Sequence, residues 1–162
     1  MSATIHASAV LAGARAVLIR GPSGAGKSRL ALELIAAASA GRLRFARLVG
    51  DDRVHLESAG GRLLVRPAET LAGLIELRGA GILRLPHEPS AVVGLIVDLD
   101  AADAERLPEP RNIEVKGVTL PRLAVTSGVS ALPGLLTLLT LAGRGLDLLH
   151  NEAWQLTSLG DG

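Results

Sequence analysis

Eight consecutive residues, Gly21, Pro22, Ser23, Gly24, Ala25, Gly26, Lys27 and Ser28, satisfy the pattern G-x-x-x-x-G-K-[ST]. The chemistry such a loop can do is to hold a polyphosphate. Backbone N–H groups converge on phosphate oxygens only where side chains are sparse and positive φ is tolerated, and three glycines in six positions meet both needs. Lys27 is one of two lysines in a chain that otherwise uses 15 arginines for its positive charge. A compact ammonium suits β- and γ-phosphate oxygens better than a planar guanidinium does. Ser28 then opens a helix, where the dipole favours anions and a hydroxyl can reach magnesium. The pattern therefore points to ATP with Mg2+, and the bland alternative is a glycine-rich turn capping a helix beside a solvated lysine.

A phosphate loop alone does not move a phosphoryl group; a carboxylate for the metal and a base for the nucleophile are also needed. Two places compete. Asp98 closes the apolar run AVVGLIVD, the better metal-anchoring strand by pattern. Asp51 and Asp52 follow the shorter RLVG and offer adjacent carboxylates, one for metal and one for a proton. Periodicity does not separate them.

The elements that must position these groups follow from the spacing of apolar residues and turns. A strand over Ala16–Arg20 stops at Gly21, and a helix is predicted from Lys27 to Ala40 with Leu30, Leu34, Ile35 and Ala38 on one face and Gly41 as its end. Further strands are predicted at Arg47–Gly50, Arg53–Glu57, Arg62–Arg66, Leu74–Leu77, Val92–Leu99, Ile113–Val115 and Leu120–Val125, and a last helix over Ser130–Leu141. Gly60-Gly61 between VHLES and RLLVR reads as a hairpin, so the expected α/β fold has a mixed sheet with flanking helices.

Composition limits the function classes. At 162 residues a single domain, 1–162, is expected. The 48% apolar content includes no run long enough for a bilayer span, the N-terminus lacks the pattern of a secretory signal, and cysteine is absent, so a cytoplasmic location is expected. A net charge of +1 and aromatics at 1% give neither an electrostatic footprint nor a stacking platform for nucleic acid. Four scattered histidines and no cysteine exclude the usual zinc spacings, leaving a hard cation bound by oxygen.

HASAV, the strand, GPSGAGKS, LVGDDRV and LIELRGAGIL occur in this order over roughly residues 5–100. Together they resemble the catalytic domain of HPr kinase/phosphorylase, bacterial enzymes that phosphorylate a serine of the phosphocarrier HPr. The resemblance implies a phosphate-loop fold related to phosphoenolpyruvate carboxykinase, a short form without the family's separate N-terminal domain, and assembly as a hexamer. It makes Asp51 the acid/base toward the attacking serine, and Ser28, Asp52 and Glu76 the magnesium shell. Asp98 then becomes a strand-end residue without assigned chemistry. His6 is placed near the active site and Arg78 beside phosphate or Glu76, on the same strand face. In GVTLPRLAV, Arg122 stands where the family carries a P-G-R-N segment that handles the protein substrate and the reverse reaction. The partner implied is an HPr-like phosphocarrier, with no role for nucleic acid or membrane. Two other functions fit the loop itself: a nucleotide-responsive regulatory module without turnover, and a small-molecule kinase with an arginine-rich lid over Arg106–Arg122. Trp154 in the tail HNEAWQL would report docking of that segment.

Overall fold

The computed structural model describes residues 3–104 and 111–141. Strands run over Thr4–Ala12 (β1), Arg15–Arg20 (β2), Ala46–Gly50 (β3), Arg53–Ala59 (β4), Arg62–Pro67 (β5), Leu74–Leu77 (β6), Gly81–Arg84 (β7), Ala91–Asp98 (β8), Arg111–Val115 (β9) and Val118–Ala124 (β10). Helices span Lys27–Ser39 (α1) and Leu132–Leu141 (α2). Trp154 and residues 106–110 of the candidate lid lie outside the described residues.

The fold is mixed α/β. Strand β8 runs parallel to β2 and to β10, while the other pairings are antiparallel. Strands β2, β1, β4, β5 and β8 are hydrogen-bonded in succession, and the β2–β8 pairing closes the circuit. Inside it lie Ala7 and Ala9 of β1, Ala16 and Leu18 of β2, Val54 and Leu56 of β4, Leu63 and Val65 of β5, and Val93 and Ile96 of β8. The alternating residues of the same strands face a second core. There Val10, Val17, Ile19, Leu95 and Val97 meet Leu30, Ala31, Leu34 and Ala37 of α1 and Leu135, Leu136 and Leu139 of α2. Strands β1, β2 and β8 are thus apolar on both faces, which removes the alternation that normally marks a strand.

Both described helices share that second core, so they cover one face of the central strands rather than flanking it on two sides. The buried stripe of α1 is Leu30, Ala31, Leu34 and Ala37, rotated from the expected one, and Ile35 and Ala38 are only partly covered. Gly41 ends α1 as expected. It holds φ +77°, its N–H donates to the Ala38 carbonyl, and the Arg42 N–H donates to the Ala37 carbonyl, a Schellman arrangement. The Gly60-Gly61 hairpin also forms, with Ala59 paired to Arg62 and positive φ at both glycines. Two strands had no counterpart in the sequence reading, β1 and β7. The latter pairs with β6 into a separate hairpin.

Candidate active site

The glycine loop joins β2 to α1, and its backbone explains its composition. Gly24 and Gly26 hold φ +82° and +97°, and a Cβ at either would touch nothing within 4 Å. Conformation, not space, requires glycine there. At Gly21 a Cβ would also stand 3.0 Å from the Leu99 carbonyl oxygen, because the loop leaves the sheet against the end of β8. The loop borders a cavity of about 980 Å³. Ser23, Gly24, Ala25, Gly26, Lys27 and Ser28 line it, whereas Gly21 and Pro22 form the root behind it. Lys27 is buried, and its Nζ donates to the carbonyls of Gly21 at 2.8 Å and Pro22 at 3.0 Å. Burial pushes its ammonium below the ordinary lysine value, against the upward pull of the Asp51 and Asp52 charges. A desolvated cation bonded to neutral carbonyls gains more from an incoming anion than a hydrated one does.

Opposite Ser28, the end of β3 delivers the two aspartates in different environments. Asp51 is 3% exposed. It accepts hydrogen bonds from Ser28 Oγ at 2.8 Å and 2.9 Å, to its two oxygens, and from Ser8 Oγ at 2.5 Å. Asp52 turns the other way. Its side chain is 61% exposed, it lines the cavity, and its Oδ1 lies 3.1 Å from His6 Nε2. His6 is brought there because β1 pairs with β4 in a register that sets His6 against Arg53. The two neighbours are therefore placed differently. The carboxylate in contact with Ser28 is Asp51, and the one open to a reactant is Asp52.

The hairpin of β6 and β7 forms the facing wall and brings Glu76 and Arg78 to the cavity. Arg78 is not on a strand face with Glu76, as expected, because β6 ends at Leu77 and Arg78 sits in the turn closed by the Ala80 N–H on the Leu77 carbonyl. Among the described residues neither side chain takes part in an ion pair. Arg122 is not among the residues lining the cavity. Its guanidinium is committed to Asp98 at 2.5 Å and to both oxygens of Asp103 at 2.7 and 3.0 Å. Asp98 also takes two hydrogen bonds from Arg20, at 2.7 and 2.8 Å. Burial pushes the Asp98 carboxyl up, but the hydrogen bonds and charges of Arg20 and Arg122 outweigh it and hold it below the ordinary carboxylate value. Asp98 is thus a junction between β2, β8 and β10.

The donor set fits magnesium with a nucleotide. Among the described residues no three His, Asp or Glu side chains form a metal cage. Magnesium needs none, since it takes one or two protein oxygens and completes its shell with phosphate and water. Ser28 Oγ and the two Asp51 carboxylate oxygens, 2.8 and 2.9 Å from it, are hard oxygen donors of the kind that such a shell takes. Sequence reasoning missed Ser8. Its signal was the alternation His6, Ser8, Val10, Ala12, which puts two polar groups at the site end of a strand face that is otherwise core.

Comparison with known proteins covers the same stretch of chain. A family model described as "HPr Serine kinase C-terminal domain" matches residues 1–123. The chain is similar to an HPr kinase/phosphorylase from Neisseria meningitidis, 36% identical over 125 residues, covering 65% of this chain and 37% of that protein. It is also similar to one from Streptococcus thermophilus, 35% identical over 122 residues, covering 67% of this chain and 37% of the relative. The chain thus spans little more than a third of the length of these curated relatives. Among solved structures, the HPr(Ser) kinase/phosphatase from Coxiella burnetii superposes with a TM-score of 0.70 at 26% identity, covering 87% of this chain and 95% of that one. Among the described residues, no helix is long and apolar enough to cross a membrane.

Proposed function

The chain belongs to the HPr serine kinase C-terminal domain family, and from that premise we propose that it transfers the γ-phosphoryl group of ATP to a serine hydroxyl of an HPr-like phosphocarrier protein. The observation that carries this reading is the division of labour between the adjacent aspartates, one buried on Ser28 and one open to the cavity. The glycine loop binds the phosphates through its N–H groups, and Lys27 meets the charge that develops on the transferring oxygens. Ser28 and Asp51 would hold magnesium, with Glu76 on the facing wall, and the ion would supply neutralisation of phosphate charge. Asp52 accepts the proton of the attacking serine as its Oγ–P bond forms and the bond to the ADP oxygen breaks, and His6 holds the Asp52 carboxylate in place. Arg78, free of ion pairs among the described residues, faces the incoming phosphoprotein or the γ-phosphate.

The same pair serves phosphorolysis: an oxygen of inorganic phosphate bonds to the phosphoserine phosphorus as the P–Oγ bond breaks, and Asp52 passes the proton lost by the phosphate to the serine oxygen, leaving serine and pyrophosphate. In this reading the fold is a phosphate-loop kinase related to phosphoenolpyruvate carboxykinase, residues 1–162 are one cytoplasmic domain, and the family's hexamer is the assembly to test by light scattering. The test of function is intact-mass analysis of an HPr-type protein incubated with this chain and magnesium-ATP. Gain of one phosphoryl group on serine, absent with Asp52→Asn, is the expected result. An unchanged mass together with measurable ATP binding would instead favour a nucleotide-responsive regulatory module.

A further inference from the structure

Ser8 has no solvent-exposed surface, yet its hydroxyl lies 2.5 Å from Asp51 Oδ1. Its neighbours on β1, Ala7, Ala9 and Val10, are fully buried and apolar. A buried hydroxyl in such a strand is expensive unless bonded, and here its bond goes to a carboxylate. The same Oδ1 accepts from Ser28 Oγ at 2.8 Å, so Asp51 is gripped from two sides, by a strand and by a helix. These two anchors are not equivalent. Ser28 stands at the phosphate end of α1 and must turn its oxygen toward the metal and nucleotide, whereas Ser8, on β1 at the cavity wall, gives its hydroxyl to Asp51.

We infer that Ser8 is a positioning residue that fixes the aim of Asp51 and thereby sets the affinity for magnesium in the nucleotide complex. The inference rests on the assignment of Asp51 to the metal side in the proposed function. Partners that orient a metal-binding carboxylate commonly change metal affinity by about 10- to 100-fold when removed.

The test uses Ser8→Thr, which keeps the hydroxyl, and Ser8→Val, which keeps the shape of threonine without it. Magnesium chloride is titrated into each protein with a fluorescent ATP analogue, and nucleotide affinity is measured separately in EDTA. The expected result is that the valine variant needs about 10-fold more magnesium or beyond, the threonine variant stays within about twofold of the unmodified protein, and affinity in EDTA is unchanged in both. In an Asp51→Asn background, Ser8→Val should add no further loss. Unaltered magnesium dependence of the valine variant, failure of threonine to rescue, an equal loss in EDTA, or no magnesium dependence in the unmodified protein would each overturn it. The readout needs no protein substrate. Failure to phosphorylate an HPr-type protein while Ser8 still controls magnesium would sink the substrate assignment alone.

Discussion

Asp52 holds a backbone φ of +67°, and across it the Arg53 N–H donates to the Asp51 carbonyl at 2.8 Å, closing a three-residue turn. A residue with a Cβ adopts that region at a cost of about 1–2 kcal/mol, so the position suits glycine better than aspartate on stability alone. Such strain persists where the surroundings or a function require it. Asp52→Gly is therefore expected to leave the melting temperature unchanged or raise it slightly, since relief of strain is offset by about 0.5–1 kcal/mol of extra unfolded-state entropy, while abolishing phosphoryl transfer. A clear fall in melting temperature would remove the strain from the account. Lys27 makes a related trade. Because burial disfavours its charge, Lys27→Met should melt no lower than the unmodified protein without nucleotide and should lose nucleotide binding in a fluorescence titration.

Gly50 shows how an element delivers the site. Its φ is not positive, but a Cβ there would stand 2.8 Å from Val54 Cγ1 and 3.2 Å from Pro67 Cα, so the end of β3 can pack under β4 and β5 only without a side chain. Gly50→Ala should cost about 1–3 kcal/mol by overpacking and should weaken magnesium-dependent nucleotide binding by displacing Asp51, read by a denaturant melt and the same titration. Loss of stability with intact binding would separate Gly50 from the site. The requirement at Gly50 is spatial and long-range, so it was illegible in the sequence. By contrast, Gly24 and Gly26 were legible because a local backbone conformation is what they supply. Strand β2, α1 and the Gly60-Gly61 hairpin were read correctly because turn residues bounded them. Strand β1 was missed because Ala7, Ala9 and Ala12 have weak strand propensity and both faces are buried. The different surroundings of Asp51 and Asp52 were equally hidden, since adjacent residues are alike in sequence and differ only in what β1 and α1 place against them.

Across the whole molecule, Asp98 ties β8 to Arg20 of β2 and Arg122 of β10 at the edge where the glycine loop begins. Removing its charge leaves two guanidinium groups facing one another in a partly buried junction. Asp98→Asn should therefore cost on the order of 2–4 kcal/mol near neutral pH. Because the folded carboxyl titrates below its unfolded counterpart, this contribution is fully present above the unfolded value of about 3.9 and is lost as pH falls through the lower folded value. Urea melts of the two proteins should begin to draw together as pH falls below about 4 and converge only below the lower folded value; a gap that persists there would show that packing, not charge, is what Asp98 supplies. Arg122, a candidate on resemblance, does not line the cavity, and its guanidinium is held by Asp98 and Asp103 in this junction.

The most direct measurement on the account is to compare magnesium-dependent ATP binding and serine phosphorylation side by side for Asp51→Asn and Asp52→Asn. With Asp51 on the metal side and Asp52 as the base, Asp51→Asn loses magnesium-dependent binding, and Asp52→Asn binds within a few fold of the unmodified protein yet transfers nothing. Transfer retained by Asp52→Asn, or lost by Asp51→Asn with binding intact, would contradict it.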